Sequence, residues 1–375
     1  MKNNLFNIAI LGCGKVAHLH AKAIQNIPNA RLSGVWSRTP ETAKSFASQY
    51  DIEAFADISE LVSEKEIDLA IVCTPHPFHL GPTLQAAEAG ANVLVEKPLA
   101  STLADSDEMI SVCKKHGVKL GVISQRRWYE PVKRIKTAIE DGKIGKPVFG
   151  TVNILGWRDK AYYDSDAWRG TWKMEGGGVL VNQAPHQLDI LLWYMGEIDE
   201  VYGVSKNLNH PYIEVEDTAV AIIKFKNGGI GNIIVSNSTK PGIYGKVHVH
   251  GDNGASVGVQ TDGGAMFIAG MSGILEPPVN DIWTVPGEEQ YLDRWKKEDA
   301  AFFQSVDPTV YYMEKQIEDF LTALINNTDP LVSGEEGRKT VELFTAIYRS
   351  TRDNRPVKFP LQPETGRDDM DGRLL

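Results

Sequence analysis

Short apolar runs alternate with amphipathic segments over the first third of the chain. The apolar runs predict strands at residues 6–11, 31–36, 69–73, 92–95 and 119–123. The amphipathic segments predict helices at residues 17–27, 79–89 and 103–116. Strands that alternate with helices in this way form a parallel sheet with helices on its faces. We therefore expect an α/β domain over residues 1–124.

The pattern changes after Ser124, where long β-rich stretches replace the alternation. Helices are predicted at residues 131–140, 312–325 and 335–349, and strands at residues 147–155, 215–226, 229–238 and 246–251. Asn227-Gly228 is a strong hairpin signal, and strands joined by so tight a turn are antiparallel. We expect a C-terminal α+β domain over residues 125–375. Its large, mostly antiparallel sheet would carry helices on one face and meet a partner subunit on the other.

One stretch of this second half fits neither pattern. Residues 261–307 are rich in Gly, Pro and charge without a clear period, and we interpret them as a long irregular excursion. Trp283 lies within it and could close a pocket or an interface.

Composition and charge narrow the classes of protein. A length of 375 residues suits two domains, and the net charge of -10 argues against a nucleic-acid partner, because phosphate binding needs a basic face. No apolar run is long enough to cross a bilayer, so no membrane partner is expected. Cys13, Cys73 and Cys113 have no metal-type spacing. They predict reduced, buried thiols of a cytosolic protein.

A glycine loop follows the first predicted strand and opens a helix. Gly12 permits a tight turn, Gly14 lets the backbone approach a pyrophosphate, and Ala17 is small enough for close helix packing. Lys15 and Val16 complete the loop. This setting predicts dinucleotide binding, and the N-terminal domain is accordingly expected to be a Rossmann domain with a parallel sheet.

The end of the second strand indicates which dinucleotide binds. The residues there are Trp36-Ser37-Arg38-Thr39, with no carboxylate to hold a ribose diol. Ser37 and Arg38 can donate to a 2′-phosphate, which favours NADP over NAD. Arginine can also stack on adenine, so NAD stays open.

A third cofactor contact is expected after the strand at residues 69–73. Thr74, Pro75, His76 and His79 should cross the cofactor near its middle. The two histidines could be taken for metal ligands, but no third ligand follows at suitable spacing. Helix capping and cofactor packing are therefore the expected roles, and no metal is expected.

The triplet Glu96-Lys97-Pro98 directly follows the strand predicted at residues 92–95. Lys97 would emerge at the carboxyl end of a parallel strand, where open α/β sheets bind their ligands. Burial beside a cofactor lowers a lysine pKa, by as much as about 3 to 5 units when burial is complete, and permits proton exchange near neutral pH. An isolated lysine would be interpreted as a surface side chain. Here we expect Glu96 and Lys97 to contact the cofactor.

A second group of polar residues follows the glycines at 176–178. Asn182, His186 and Asp189 stand at i, i+4 and i+7, so on a continuous helix they share one face. Pro185 predicts a kink or a restart within that helix. A lone histidine is usually a satisfied core residue. Its polar neighbours, and glycines that would let backbone approach a ligand, favour a site at His186.

Together these motifs resemble the glucose-fructose oxidoreductase, inositol dehydrogenase and rhizopine-catabolism (Gfo/Idh/MocA) family over essentially the whole chain. The resemblance implies a nicotinamide cofactor and hydride transfer to or from a sugar or polyol carbon. It implies that Lys97 is the catalytic lysine and His186 the catalytic histidine. It also implies a homodimer or homotetramer built on the open sheet face.

One departure from the family concerns Asn182. The family often has an aspartate four residues before the histidine. An amide can orient a hydroxyl or the imidazole, but it cannot stabilise an imidazolium by charge. With Asn182 in this place, we therefore expect catalysis by His186 to be weaker than in relatives with an aspartate, or Lys97 to carry more of the proton transfer.

Further substrate contacts are expected on loops beside this helix. Arg127 and Trp128 resemble a family segment that borders the sugar site. Tyr163, Trp168 and Arg169 precede the glycines, and aromatic faces with an arginine suit a polyhydroxylated ring. Asn182 and Asp189 are also expected to contact substrate. Structural packing stays open for each of these residues singly.

The leading hypothesis is a cytoplasmic, NAD(P)-dependent oxidoreductase. It would act on a secondary alcohol or ketone of a sugar, sugar derivative or cyclitol, with Lys97 and His186 holding the reacting hydroxyl. Two alternatives stay open, because fold alone excludes neither. One is a glycoside hydrolase that uses tightly held NAD for transient oxidation. The other is a non-catalytic, cofactor-sensing regulator.

Overall fold

The chain folds into two compact units, each built on its own sheet, within residues 5–261 and 276–364 that the computed structural model describes. The first unit contains the described residues up to Gln125 together with Pro308–Val341, and the second contains the rest. In chain order the elements are β1 (Phe6–Leu11), α1 (Lys15–Asn26), β2 (Ala30–Trp36), α2 (Pro40–Tyr50), β3 (Glu53–Phe55), α3 (Ile58–Glu64), β4 (Leu69–Val72), α4 (Leu80–Glu88), β5 (Asn92–Val95), α5 (Leu103–His116), β6 (Leu120–Val122), α6 (Glu130–Glu140), β7 (Pro147–Trp157), α7 (Lys160–Asp164), α8 (Val179–Asn182), α9 (Pro185–Met195), β8 (Ile198–Lys206), β9 (Thr218–Phe225), β10 (Ile230–Ser236), β11 (Ser238–Gly251), β12 (Ser256–Thr261), β13 (Val279–Trp283), α10 (Leu292–Ser305), α11 (Pro308–Asn326), α12 (Gly334–Asp353) and β14 (Val357–Lys358).

The first unit contains a six-stranded, fully parallel sheet in the order β3-β2-β1-β4-β5-β6. The predicted parallel sheet is therefore confirmed. The strand order changes direction between β1 and β4, which is the switch point where such sheets bind ligands. Leu11 pairs with both Trp36 and Val72, and Val72 pairs with Val95. This register brings the carboxyl ends of β1, β2, β4 and β5 to one edge.

Helix α11 completes the core of the first unit. Strand residues such as Ile10 and Ile71 are fully buried, and Phe320 and Ile317 of α11 belong to the same apolar cluster. Gln316 also extends the hydrogen bonding of the sheet: its Oε1 accepts from the Ser124 amide at 2.8 Å, and its Nε2 donates to the Val122 carbonyl at 2.7 Å. The first unit is therefore completed by a helix whose Gln316 lies 192 residues after Ser124 in the chain. The limits expected for the two domains, at residues 1–124 and 125–375, stay a prediction.

The second unit contains an eight-stranded sheet in the order β13-β12-β11-β7-β10-β9-β8-β14. Neighbouring strands are antiparallel except β7 and β10, which confirms a mostly antiparallel sheet. The predicted Asn227-Gly228 turn joins β9 to β10, and Gly228 adopts a φ of +87° that favours glycine.

The two faces of this sheet differ in what covers them. Helix α9 packs so closely on β7 that a Cβ on Gly150 would lie 2.8 Å from Leu191 Cδ1. On the other face of β8 and β9, Val204, Val220 and Ile222 are about half exposed. Val204 pairs with Val220 across the strands, so these side chains form a continuous apolar surface.

The irregular excursion predicted for residues 261–307 is wrong in part. Its described residues include β13, which pairs with β12, and the helix α10. Residues 262–275 lie outside the described residues. Sequence periodicity missed β13 because the strand is only five residues long, and it missed α10 because charged residues interrupt its apolar spacing. Across residues 5–261 and 276–364, no helix has the length and apolar character needed to cross a membrane.

Candidate active site

The glycine loop lies at the edge of the parallel sheet where β1, β2 and β4 end. Gly12 has a φ of +106°, and a Cβ there would lie 2.8 Å from the Thr74 amide nitrogen, so only glycine fits. Its own amide donates to the Trp36 carbonyl at 2.8 Å. A Cβ on Gly14 would meet no described atom within 4 Å. Gly14 thus leaves open space at the N-terminus of α1, where Lys15 and Val16 form the first turn.

Ser37 and Arg38 follow β2 at the same edge. Arg38 is exposed, and its guanidinium carbon lies 5.6 Å from the centre of the Phe78 ring, which comes after β4. Ser37 lies beside the Cys13 thiol, whose pKa burial raises to about 11 against the opposing Ser37 hydrogen bond. Cys13 is therefore a neutral thiol at physiological pH. All three cysteines are free; Cys73 and Cys113 are buried, whereas Cys13 is only partly so.

The fully buried ring of His79 lies between backbone carbonyls on both sides. Its Nδ1 lies 3.0 Å from the Pro98 carbonyl oxygen, and its Nε2 lies 2.9 Å from the Thr74 carbonyl oxygen. Burial lowers the pKa of His79, while the carbonyls of Leu99 and Thr74 oppose that shift. His79 thus fastens the segment after β4 to the turn that contains Lys97. Its predicted contact with a cofactor stays a prediction.

Thr74, Pro75 and His76 form the start of the segment that His79 fastens. The Thr74 hydroxyl donates to the Phe78 carbonyl at 2.9 Å, and Pro75 precedes a short 3-10 helix that begins at His76. The His76 ring stands edge-on to His79 at 6.1 Å between ring centres. Among residues 5–261 and 276–364, no group of three His, Cys, Asp or Glu side chains is placed to hold a metal ion.

Glu96 is a buried carboxylate that fixes the start of the Lys97 turn. Its Oε1 lies 2.7 Å from His20 Nε2, and its Oε2 accepts from the Lys97 amide at 3.1 Å. Burial raises the pKa of Glu96, but the hydrogen bond and charge of His20 and the charge of Lys97 outweigh it, so the pKa lies below its ordinary value. Glu96 is therefore ionised. The half-buried Lys97 stands next to a fixed negative charge at the carboxyl end of β5.

In the second unit, the helix that carries Asn182 and His186 restarts at Pro185, one of the two outcomes that the proline predicted. Helix α8 ends at Asn182 and α9 restarts with Pro185 in its first turn, as a missing N–H requires. Gln183 and Ala184 nevertheless keep right-handed helical angles, with φ/ψ of −92°/−41° and −79°/−19°. His186 therefore still lies about one turn after Asn182. It is 7% exposed, in the first turn of α9.

The glycines before α8 are needed for packing within the second unit. A Cβ on Gly178 would lie 1.7 Å from the Glu216 carbonyl oxygen, and one on Gly177 would lie 2.6 Å from the Tyr348 hydroxyl. We expected these glycines to admit a ligand. The described contacts give a different reason, which is the close approach of Glu216 and Tyr348.

Glu216 holds the first turn of α8 with its side chain. Its two carboxylate oxygens accept from the amides of Gly178 at 2.9 Å and Leu180 at 3.0 Å. Burial raises the pKa of Glu216 to about 7, although these two amides oppose the shift. The fold therefore contains an acid that gains or loses its proton near neutral pH, directly beneath the segment that carries Asn182.

Asn182 is bound by a second buried carboxylate, Glu175. The Asn182 Nδ2 donates to Glu175 Oε1 and also to the Tyr162 hydroxyl at 3.3 Å. That hydroxyl accepts from Arg169 Nη1 at 2.6 Å and from Gln183 Nε2 at 2.9 Å. The Asn182 side chain is thus held in one orientation by Glu175 and by the Tyr162 hydroxyl.

Arg127 and Asp189, both expected to contact substrate, bind each other. Arg127 donates from Nε and Nη2 to the two Asp189 oxygens, at 2.8 Å and 2.6 Å. Both side chains are buried, and the guanidinium also lies 4.9 Å from the centre of the Trp193 ring. This bidentate pair satisfies the charge of both residues. Their contact with substrate stays a prediction, and the structure shows a role in fixing α9.

The aromatic residues expected near the substrate cluster around Arg169. Its guanidinium lies 4.4 Å from the centre of the Trp168 ring. Tyr163 is buried, with its hydroxyl 3.4 Å from Asn237 Nδ2, and burial raises its pKa. Trp128 ends a short 3-10 helix and is half-buried. The structure therefore brings Trp168 and Arg169 together with the Asn182 cluster through Tyr162.

Trp283 lines a groove of about 540 Å³ on the second unit. The Trp283 and Trp295 rings meet edge to face at 5.0 Å, and Arg134 stacks on Trp295 at 4.5 Å. None of the predicted site residues lines this groove.

Sequence reasoning missed the residues that hold the predicted ones. His20 binds Glu96, Glu175 binds Asn182, and Glu216 holds α8. His20 lies on a helix 76 residues before its partner, and Glu216 follows its partner by 38 residues. Sequence spacing carries no signal for such pairs. Glu175 is seven residues from Asn182, but an irregular turn separates them.

Two family profiles match the chain. Residues 6–124 match "Oxidoreductase family, NAD-binding Rossmann fold", and residues 132–257 match "GFO/IDH/MocA C-terminal domain". The chain is 28% identical to myo-inositol 2-dehydrogenase of Thermotoga maritima, over 94% of this chain and 98% of that enzyme. It is 27% identical to scyllo-inositol 2-dehydrogenase (NAD(+)) of Bacillus subtilis, over 94% and 96%. It superposes on the WlbA dehydrogenase of Bordetella pertussis, solved with NADH and UDP-GlcNAcA, with a TM-score of 0.84 and 27% identity over 96% and 100% of the two chains.

Replacing Glu216 with Gln should remove a pH dependence of stability. Glu216 binds its proton more tightly in the folded protein, with a pKa of about 7 against an ordinary 4.5. The folded state therefore becomes less stable relative to the unfolded state as rising pH removes this proton. The unfolding free energy of the second unit should fall by up to about 3 kcal/mol between pH 5 and pH 8. Urea unfolding followed by tryptophan fluorescence reports this unit, because every tryptophan except Trp36 lies there.

The Glu216→Gln variant should lack this difference, whereas Glu→Gln at the exposed Glu298 should retain it. An equal pH dependence in Glu216→Gln and the unsubstituted protein would contradict the assignment of the titration to Glu216.

Proposed function

Because the chain belongs to the Gfo/Idh/MocA family of oxidoreductases, we propose that it transfers hydride between NAD(P) and a secondary alcohol or ketone of a sugar, sugar derivative or cyclitol. The observation that carries the proposal is the placement of Lys97. Glu96, His20 and His79 hold its turn at the carboxyl end of β5, at the sheet edge that also carries the glycine loop. That edge is where parallel sheets bind dinucleotides.

The residues at this edge fit a dinucleotide. Gly14 leaves open space at the N-terminus of α1, and among the described residues no side chain caps that end. A pyrophosphate would be bound there by Gly12, Gly14, Lys15 and Val16, since amides at a helix N-terminus favour anions. Thr74, Pro75, His76 and His79 would border the middle of the cofactor. When bound, the nicotinamide accepts or supplies the hydride.

Proton transfer in this proposal belongs to Lys97 and His186. Lys97 holds the reacting hydroxyl and exchanges its proton, and ionised Glu96 stabilises the ammonium form between turnovers. His186 assists as the second proton-exchanging group, and Asn182 orients it or a substrate hydroxyl. Trp128, Tyr163, Trp168 and Arg169 contact the sugar, while Arg127 and Asp189 fix α9 through their ion pair.

A spectrophotometric screen of sugars, glycosides and cyclitols with NAD and NADP tests this function. Growth of absorbance from reduced nicotinamide with one substrate supports the proposal. Release of an aglycone without net reduction of cofactor would instead support the glycoside hydrolase alternative. Cofactor binding without turnover of any substrate in either direction would contradict an oxidoreductase.

With a substrate in hand, Lys97→Met should lower kcat by about 10²- to 10⁴-fold, the usual contribution of a proton-transfer group. Cofactor affinity, measured by fluorescence titration, should stay within a few-fold. Lys22→Met on the exposed side of α1 is the matched control and should leave kcat unchanged. Retained turnover in Lys97→Met would remove Lys97 from the mechanism.

We propose that the enzyme prefers NADP to NAD. WlbA was solved with NADH, so this preference rests on the residues after β2. Ser37 and the exposed Arg38 can donate to a 2′-phosphate, and residues 37–39 contain no carboxylate to repel it.

Arg38→Ala should therefore raise the KM for NADP by about 10- to 100-fold, the value of one charge-assisted hydrogen bond, and change the KM for NAD only a few-fold. Arg31→Ala, at the other end of β2, is the matched control. A lower KM for NAD than for NADP in the unsubstituted enzyme would refute the preference.

We propose that two copies associate through the apolar surface of β8 and β9. Val204, Val220 and Ile222 are 52%, 45% and 59% exposed there, and a second copy would remove this surface from water. A C2 contact would place the same strands of both copies against each other.

Ile222→Lys should therefore shift the protein to monomer in sedimentation velocity, because a buried lysine charge has no partner on this surface. Ile325→Lys on α11 changes an equally exposed isoleucine and should leave the assembly intact. An unsubstituted protein that sediments as a monomer would rule out the proposed contact.

A further inference from the structure

Asn182 lies one helical turn before His186, and the buried carboxylate of Glu175 lies directly against its amide. We propose that Glu175 is a positioning residue that supplies this negative charge to His186 through Asn182. The proposal extends the function given above to a residue with no expected role, and it rests on that function for its catalytic consequence.

Two N–H donors contact the buried carboxyl group of Glu175. It is 1% exposed; its Oε2 accepts from the Gly170 amide at 2.5 Å, and its Oε1 accepts from Asn182 Nδ2. Both hydrogen bonds come from N–H groups, and an N–H group cannot accept a hydrogen bond. A buried carboxylate is stabilised by such donors, and hydrogen bonds to a charged acceptor are the strong ones.

The contacts of Asn182 determine which way its amide points. Its Nδ2 carries two hydrogens; one is directed to Glu175 Oε1 and the other to the Tyr162 hydroxyl at 3.3 Å. Arg169 and Gln183 hold that hydroxyl at 2.6 Å and 2.9 Å, so it is fixed. With both hydrogens directed to these two groups, Asn182 presents its carbonyl oxygen as an acceptor to other groups.

That acceptor is stronger than an ordinary amide oxygen. A carboxylate bound at the nitrogen end of an amide polarises it and makes the oxygen more negative, as in other hydrogen-bonded chains at low dielectric. Because residues 183 and 184 keep helical angles, Asn182 and His186 are one turn apart, a spacing at which side chains are neighbours. The Asn182 oxygen thereby favours the protonated form of the His186 imidazole.

No proton travels along this chain of groups. The Asn182 nitrogen keeps both hydrogens and the protonation of Glu175 does not change, while His186 gains or loses a proton to substrate or solvent. Glu175 thus acts by charge alone, which distinguishes it from a proton acceptor and gives the proposal a direct test.

The test moves the charge from Glu175 to residue 182. Glu175→Gln should lower the pKa of His186 by about one unit, followed by NMR of ¹³C-labelled histidine and assigned with a His186→Gln sample. The double variant Glu175→Gln/Asn182→Asp places the carboxylate at 182 and should restore the pKa. Glu214→Gln, an exposed carboxylate that accepts from the Trp172 amide, is the matched control.

Kinetics provide the second measurement. Glu175→Gln should lower kcat about tenfold and shift the acid limb of its pH profile with the His186 pKa, while KM changes little; the double variant should recover both. Should Glu175→Gln fail to fold in thermal melts, Glu175→Asp, which withdraws the charge by one methylene, should lower the pKa in the same direction.

A His186 pKa that is unchanged in Glu175→Gln, or lowered and not restored in the double variant, would overturn the proposal and leave Glu175 a packing residue. The outcome is separate from the proposed function. A pKa that responds as expected in a protein without dehydrogenase turnover would support the charge relay and refute the oxidoreductase assignment.

Discussion

The hydrogen bond between Glu96 and His20 is the interaction on which the first unit depends. A carboxylate cannot be buried without donors, and Glu96 obtains them from His20 on α1 and from the amide of Lys97. Helix α1 begins at the glycine loop, and Lys97 follows β5. One buried pair therefore ties helix α1, which begins at the glycine loop, to the turn that carries Lys97, and neither can shift without leaving a charge unpaired.

The second unit applies the same principle with two carboxylates. Glu216 and Glu175 each bind backbone amides and fix the short segment that leads to His186. Gly177 and Gly178 are the condition for this arrangement, because a Cβ on Gly178 would overlap the Glu216 backbone and one on Gly177 would lie 2.6 Å from the Tyr348 hydroxyl. The two carboxylates fix the geometry of this segment by hydrogen bonds to its backbone. They also make it sensitive to pH, because the pKa of Glu216 is raised to about 7.

Sequence patterns predicted the features that residues close together in the chain determine, such as strands, turns and helix ends. Apolar periodicity identified five of the six parallel strands and missed β3, which is only three residues long. Asn227-Gly228 identified the β9–β10 hairpin, since that signal lies within the turn itself. Pro185 marked the restart of α9 for the same reason. The partners of Glu96, Asn182 and Asp189 were not predictable, because each depends on two segments brought together by the fold. The packing of Gly177 and Gly178 against Glu216 and Tyr348 was not predictable, because sequence shows the freedom of a glycine but not what approaches it.

Helix α11 has a consequence for how the protein is made. Its Ile317 and Phe320 share the apolar core of β1 and β4, yet they are synthesised after seven of the eight strands of the second sheet, β7 to β13. A nascent chain that ends before residue 308 would hold the parallel sheet with one apolar flank facing water. The apolar core of the first unit is therefore complete only once the chain has been synthesised through α11, long after β6.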